Sequence, residues 1–256
     1  MENPLVSVIM PCYNCEKFIE QAIESVINQT YSNIELIIIN DCSTDNTSKI
    51  LEEYNNRNNV IVLFNDINKG VSYSRNRGVS IANGDWIAFI DSDDYWDVTK
   101  IEKQIDKIKE TNSKFVFNST AYVDENGKIS KYSLNVPPKI DYCTLLKQNI
   151  ISCSSVLIKK DLLKVHKMEY DNIHEDYYCW LRILKDGVIA HSVNYTLLYY
   201  RLSKKGKSSN KIKAIKMTLN VYRKMNLSKF QQLYYLMIYI YRNIQKYKKI
   251  KKGFRY

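Results

Sequence analysis

Trp86-Ile87-Ala88-Phe89-Ile90-Asp91-Ser92-Asp93-Asp94 decides how this chain is read. Five consecutive apolar residues fit a strand covered on both faces, as in an α/β sheet, and ligand crevices open outside the carboxyl ends of such strands. Three carboxylates in four residues at that end repel one another unless a cation, or donors to the ionised form, offset the repulsion. Capping of the helix that follows accounts for one Asp, not three. The stretch therefore predicts a cation site at the edge of a sheet.

The segments before it alternate between β-branched runs and amphipathic stretches. Residues 5–10, 34–40, 60–64 and 86–90 read as strands. Between them lie helices: Phe18, Ile19, Ala22, Ile23, Val26 and Ile27 recur at helical spacing behind a cap at Asn14, and residues 44–55 and 70–82 follow. This βαβαβαβ order predicts a parallel sheet with right-handed crossovers. After the acids the rhythm changes. Residues 99–111 and 176–185 read as helices, residues 114–123 and 128–133 as a hairpin around Glu125-Asn126-Gly127, and residues 154–158 and 195–201 as further strands.

Composition divides the chain. From Arg201 onward there are 17 Lys and Arg and no Asp or Glu, so residues 1–200 hold 21 basic against 27 acidic side chains although the whole chain carries +11. Six thinly spread cysteines read as reduced thiols, and the Cys12/Cys15 pair lacks the second pair a zinc site would want. Met1-Glu2-Asn3-Pro4 lacks a secretory leader, and the expected location is cytoplasmic.

Polar residues end the other strands too, at Pro11-Cys12-Tyr13-Asn14 and Asn40-Asp41-Cys42-Ser43. In a parallel sheet these ends share one edge with Asp91-Ser92-Asp93. A ring to stack on, a carboxylate to accept from base or ribose, and a cation for a pyrophosphate suit a nucleotide diphosphate. Neither a Walker A motif nor G-x-G-x-x-G follows the first strand, which argues against a P-loop NTPase and a dinucleotide dehydrogenase.

At this point the sequence resembles the bacterial family 2 glycosyltransferases. The resemblance covers residues 5–209. It rests on Val6 to Asn14, Asn40 to Thr47, Asn68-Lys69-Gly70 leading to Ser74-Arg75-Asn76-Arg77-Gly78, Gly84 to Asp94, and His174-Glu175-Asp176. It implies a GT-A fold, a Rossmann-like, mixed and mainly parallel sheet flanked by helices, with a nucleotide-sugar half at 1–98, an acceptor half at 99–209 and a basic helical tail at 210–256. By the same resemblance Asp91-Ser92-Asp93 is the D-x-D motif, with Asp93 the ligand to Mn²⁺ or Mg²⁺ and Asp91 near the donor ribose. Pro11, Tyr13, Asn14, Asp41, Arg75 and Ser92 join it as nucleotide-sugar contacts, Asp94 reads as a helix-cap or supporting group, Asp176 as the general base and Glu175 as the second choice for it.

The activity implied is transfer of a hexose, glucose or galactose or an N-acetyl form, from a UDP-sugar to a lipid-linked or lipooligosaccharide acceptor. One displacement with one base implies inversion and a β-linkage. Competing readings are a sugar-nucleotide nucleotidyltransferase, which would want a Gly-rich basic loop after the first strand, and a non-catalytic scaffold. Many relatives carry a histidine after the arginine matching Arg201. Here Leu202-Ser203-Lys204 has none, so Lys204, Lys205 or Lys207 are the candidates to meet the diphosphate.

In the tail, the apolar run from Leu233 to Tyr241 is too short to span a bilayer, which needs about twenty residues. Two readings stand: an interfacial helix on the cytoplasmic face of the inner membrane, with lysines toward anionic lipid, or a helix packed on the catalytic domain. No nucleic-acid-binding motif accompanies the charge.

Overall fold

Val6–Cys12 forms β1 and is buried along its whole length, because successive side chains point to opposite sides and both sides are covered. Val6, Val8 and Met10 join one core with Leu36, Ile38, Ala88 and Ile90, while Ile9 joins the other with Ile37, Ile39 and Phe89. This computed structural model describes residues 3–55, 57–203 and 210–255.

Parallel pairing joins β1 to β2 (Ile34–Asn40) and β4 (Trp86–Phe89), and β2 to β3 (Val60–Phe64). Beyond β4 the sheet becomes mixed. β9 (Leu157–Lys159) runs antiparallel between β4 and β6 (Phe115–Val123), and β10 (Ala190–Arg201) runs parallel to β6. β7 (Ile129–Leu134) completes the expected hairpin with β6. The order is β3-β2-β1-β4-β9-β6-β10 and then β5 (Tyr95–Trp96). One side of the sheet carries α1 (Ile19–Ile27), α2 (Thr47–Tyr54) and α4 (Lys100–Thr111). The other carries α3 (Val71–Ile81) and α7 (Glu175–Lys185).

Several boundaries differ from the sequence reading, each for a local reason. Asn14 does not cap α1: it sits at φ 51° and its side chain accepts from Thr44 N, so the helix starts only at Ile19. α2 starts at Thr47 because Asp45 Oδ1 accepts the Thr47 N–H there. Asp97, not Asp94, serves the start of α4, accepting from Thr99 N at 2.9 Å. β10 begins at Ala190, five residues earlier than expected, with register shifts around Thr196 that hide its alternation. β5, β8 (Lys139–Ile140), α5 (Tyr142–Leu146) and α6 (Lys160–Val165) are too short for periodicity to announce them.

The basic tail folds as two helices, α8 (Lys211–Lys224) and α9 (Lys229–Phe254). Val221 and Tyr222 of α8 enter the core shared with α7, and Tyr222 Oη donates to Leu146 O at 2.7 Å. The far end of α9 rests on β7, where Ile250 and Gly253 are buried. No helix among the described residues is long and apolar enough to cross a membrane.

α3 sits unusually close to the sheet at Gly78, where a Cβ would lie 2.5 Å from Ile9 Cγ2 and 3.0 Å from Ile39 Cδ1. That approach carries the first turns of α3 to the strand ends. Ala is the better helix former by about 1 kcal/mol, but overpacking a dense core costs about 1–3 kcal/mol. Gly78→Ala should therefore lower the urea midpoint of unfolding, and an unchanged or raised midpoint would contradict this packing.

Candidate active site

The loops after β1 and β2 are stitched together. Asn14 N donates to Ser43 Oγ, Cys15 N to Thr47 Oγ1, Glu16 N to Asp45 Oδ2, and Asn46 N back to Glu16 Oε2. Asn14 and Cys42 hold positive φ, conformations a non-glycine residue keeps only where its surroundings fix them. A pocket opens beside the stitched loops, lined by Pro11, Cys12, Tyr13, Asp41, Val71 and Ser74, with the Tyr13 ring half exposed at its side.

Asp41 is buried at the end of β2, where it anchors the segment leading into α3. Its Oδ1 accepts from Asn65 Nδ2 at 2.6 Å and Lys69 N at 2.9 Å, and its Oδ2 accepts from Gly70 N at 2.8 Å. Gly70 adopts φ +85°, and a Cβ there would fall 2.0 Å from Asp171 Oδ2. Asp171 Oδ1 accepts from both Ser72 N and Ser72 Oγ at the first turn of α3. Asp41 thus holds the loop and lines the pocket with the same carboxylate.

Next along the edge, the acidic turn follows β4. Asp91 N donates to Ser154 Oγ, and Asp94 N to Asp91 O. Asp94 is fully buried and accepts from Arg201 N at 2.9 Å, while Arg201 Nε donates to Asp93 O and Arg201 Nη2 to Gln21 Oε1. The Arg201 guanidinium also stacks over Phe18, 4.1 Å from the ring centre. Arg201 therefore clamps the acidic turn from β10. Burial, reinforced by Asp91, pushes the Asp93 acid up to about 6. Burial and then the neighbouring Asp93 push Asp94 up further.

Arg75 crosses from this turn to α7. It is buried on α3; Nη2 donates to Asp91 Oδ1 at 2.5 Å and Nη1 to Glu175 Oε1 at 2.8 Å. The solvated helix surface on which an arginine is ordinarily found is not its environment. Glu175 is buried against it at the start of α7. Asp176 is half-buried and accepts from Tyr177 N at 2.7 Å. Burial, then the Glu175 charge, push the Asp176 acid up to about 7. His174, the residue before the pair, reaches outward to Ala214 O of α8 at 3.3 Å.

The sequence-predicted residues thus fall along one edge: Pro11, Tyr13 and Asp41 at the pocket, Asn14 beside them in the loop stitched to Ser43 and Thr44, Asp91, Ser92 and Asp93 on the turn, and Glu175 and Asp176 across Arg75 from it. Lys204, Lys205 and Lys207 lie outside the described residues. Sequence reasoning missed Asn65, Ser154, Asp171 and Gln21, single polar residues with no motif around them. It quoted Arg201 without seeing that it faces inward.

Crowded hard carboxylates, with Asp93 pushed toward its protonated form by burial and Asp91, fit a divalent cation. No group of three or more His, Cys, Asp or Glu able to hold a metal gathers among the described residues. An ion that takes one or two carboxylates and finds its other oxygens on phosphate and water does not require such a group.

Comparison with known proteins shows the family and the fold. The profile of glycosyl transferase family 2 matches residues 7–166. A UDP-Glc:alpha-D-GlcNAc-diphosphoundecaprenol beta-1,3-glucosyltransferase of Escherichia coli, WfgD, is 39% identical over 250 residues, covering 96% of each chain. Among solved structures, Staphylococcus aureus TarS in complex with UDP-GlcNAc superposes with a TM-score of 0.71 at 22% identity, covering 91% of this chain and 70% of that one. The mannosyltransferase PcManGT of Pyrobaculum calidifontis, in complex with GDP-Man and Mn²⁺, gives 0.70 at 16% identity, covering 93% and 69%. The chain belongs to glycosyl transferase family 2 and has the GT-A fold.

Replacing Arg75 by Met leaves Glu175 buried without its cation, a loss of about 3–5 kcal/mol when one partner of a buried pair is removed. Thermal unfolding reads this, and an Arg75→Met variant as stable as the unaltered protein would refute the buried pair.

Proposed function

We propose that the protein is an inverting, metal-dependent hexosyltransferase. In this reading it moves a sugar, glucose first among the candidates, from UDP to a hydroxyl of a lipid-linked GlcNAc-diphosphate acceptor and forms a β-bond. The observation that carries it is the Arg75 bridge, which ties the acidic turn to the Glu175-Asp176 pair across one crevice. The printed activity of the 39% identical Escherichia coli relative supports the donor and the acceptor class. Residues 1–98 hold the nucleotide sugar, 99–209 the acceptor, and 210–256 form the tail. The workplace is the cytoplasmic face of the inner membrane.

The uracil stacks on Tyr13 above the pocket with Pro11 and Asn14, and the Asp41 carboxylate takes a base N–H. Asp91 accepts from the ribose, with Ser92 beside it. Asp93 would be the protein ligand for Mn²⁺ or Mg²⁺, which would supply positive charge to offset that of the diphosphate leaving group. Asp176, rather than Glu175, takes the acceptor proton: Glu175 is held in the Arg75 pair, and the Asp176 acid titrates near neutrality, where a general base works best. The acceptor oxygen bonds to the anomeric carbon as the carbon–oxygen bond to UDP breaks, with the proton passing to Asp176.

Asp176→Asn should lower transfer by about 10²–10⁴-fold while UDP affinity by calorimetry stays within a small factor; an active variant excludes Asp176 as the base. Only the ionised base accepts a proton, and its acid is raised to about 7. The turnover rate should therefore climb through about pH 7 and level off above it, and a profile flat from pH 5.5 to 8.5 would argue against it. Asp93→Asn should abolish metal-dependent UDP binding and turnover. Metal-dependent UDP binding by the unaltered protein without release of UDP from any UDP-hexose would favour a non-catalytic scaffold.

A further inference from the structure

α9 packs on the domain with one face and leaves the opposite one uncovered. Ile250 and Gly253 are buried on β7, and Tyr235 and Leu236 pack against the α7–α8 core. On the other side Phe230, Leu233, Tyr234, Met237, Tyr241 and Ile244 are all exposed, Phe230 at 88% and Met237 at 57%. At 100° per residue these six fall within about a third of the helix circumference and extend along about 21 Å of its axis. Monomeric surfaces seldom keep such a continuous row of large apolar side chains. The same face continues into exposed Lys248, Lys251, Lys252 and Arg255. Beside it, Arg242, Lys246 and Lys249 line a cavity of about 260 Å³ with Tyr132, Gln148 and Tyr241.

We infer that this face of α9 is a docking surface for an anionic lipid bilayer, in which the Phe230–Ile244 row enters the interface and the basic residues meet the lipid phosphates. Charge decides the occupant. The chain from Arg201 onward carries 17 basic and no acidic side chains, so two copies meeting through α9 would bring like charges together, whereas an anionic surface complements them. Tyr234 and Tyr241 suit the headgroup level, where a ring with a polar tip is favoured. The helix lies on the membrane rather than through it, since it is not apolar enough to span. The inference deepens the reading of the acceptor as lipid-linked and rests on that reading for its purpose: docking would bring the crevice to an acceptor confined to the bilayer.

The test uses the full chain, vesicles and no sugar. The protein should sediment at low salt with vesicles of phosphatidylglycerol and phosphatidylcholine, but not with phosphatidylcholine alone. Phe230→Ser with Met237→Ser should lower partitioning by roughly tenfold or more. Lys248→Gln with Lys251→Gln and Lys252→Gln should lower it by about a hundredfold at low salt and less at high salt. UDP binding by calorimetry must stay unchanged in both variants, and the exposed lysines provide the reading if the apolar variant fails to fold. Failure of the unaltered protein to bind anionic vesicles overturns the inference, as does a well-folded apolar variant that binds as before. So does a dimer in light scattering that this variant splits while vesicles are ignored, which would make the face a contact between copies. Vesicle binding without UDP binding would leave docking standing and remove the proposed function.

Discussion

A buried cation holds the two acidic regions together. Arg75 donates to Asp91 on one side and Glu175 on the other. A guanidinium presents its donors in a fixed fork, so it sets the spacing of the two carboxylates as well as offsetting part of their charge. Removing water from one arginine and two acids is expensive, and such a cluster is seldom kept for stability alone. What it does here is fix the position of one half of the crevice relative to the other. The packing of Gly78 against Ile9 and Ile39 brings α3 low enough for the arginine to reach both.

Around that bridge the edge is built from backbone as much as from side chains. The loops after β1 and β2 exchange hydrogen bonds among Asn14, Cys15, Glu16, Ser43, Asp45, Asn46 and Thr47. Asp41 closes the third loop by accepting from Lys69 N and Gly70 N. A pocket formed this way is held before a ligand arrives, which reduces the ordering cost of binding. The acidic turn is braced from β10 by Arg201, so the far side of the sheet supports the turn that carries Asp91 and Asp93.

The tail completes a division of labour by charge. Residues 1–200 carry more acids than bases and hold the site; the last 56 residues carry only basic charge. α8 secures the tail to the core through Tyr222, and α9 lies on β7 by its last turns. The sequence left two readings of the tail, packed or interfacial. Packing on the domain uses one face of α9 and leaves the row on the other available.

The sequence by itself determined the βαβ order and the strand ends that share one edge, because strand burial is local and leaves marks at fixed spacing. Glu175 and Asp176 stood out through the family resemblance, and their place before an amphipathic helix put them at the start of α7. Only the tertiary structure decided that Arg75 is buried between two carboxylates, that Asn14 bridges loops instead of capping a helix, and that Arg201 points inward. Each of those depends on partners between 16 and 180 residues away. A lone polar residue carries no periodicity to announce which side of a surface it will occupy. The short elements β5, β8, α5 and α6 escaped for a related reason: they exist because neighbours pair with or cap them, and their own few residues specify little.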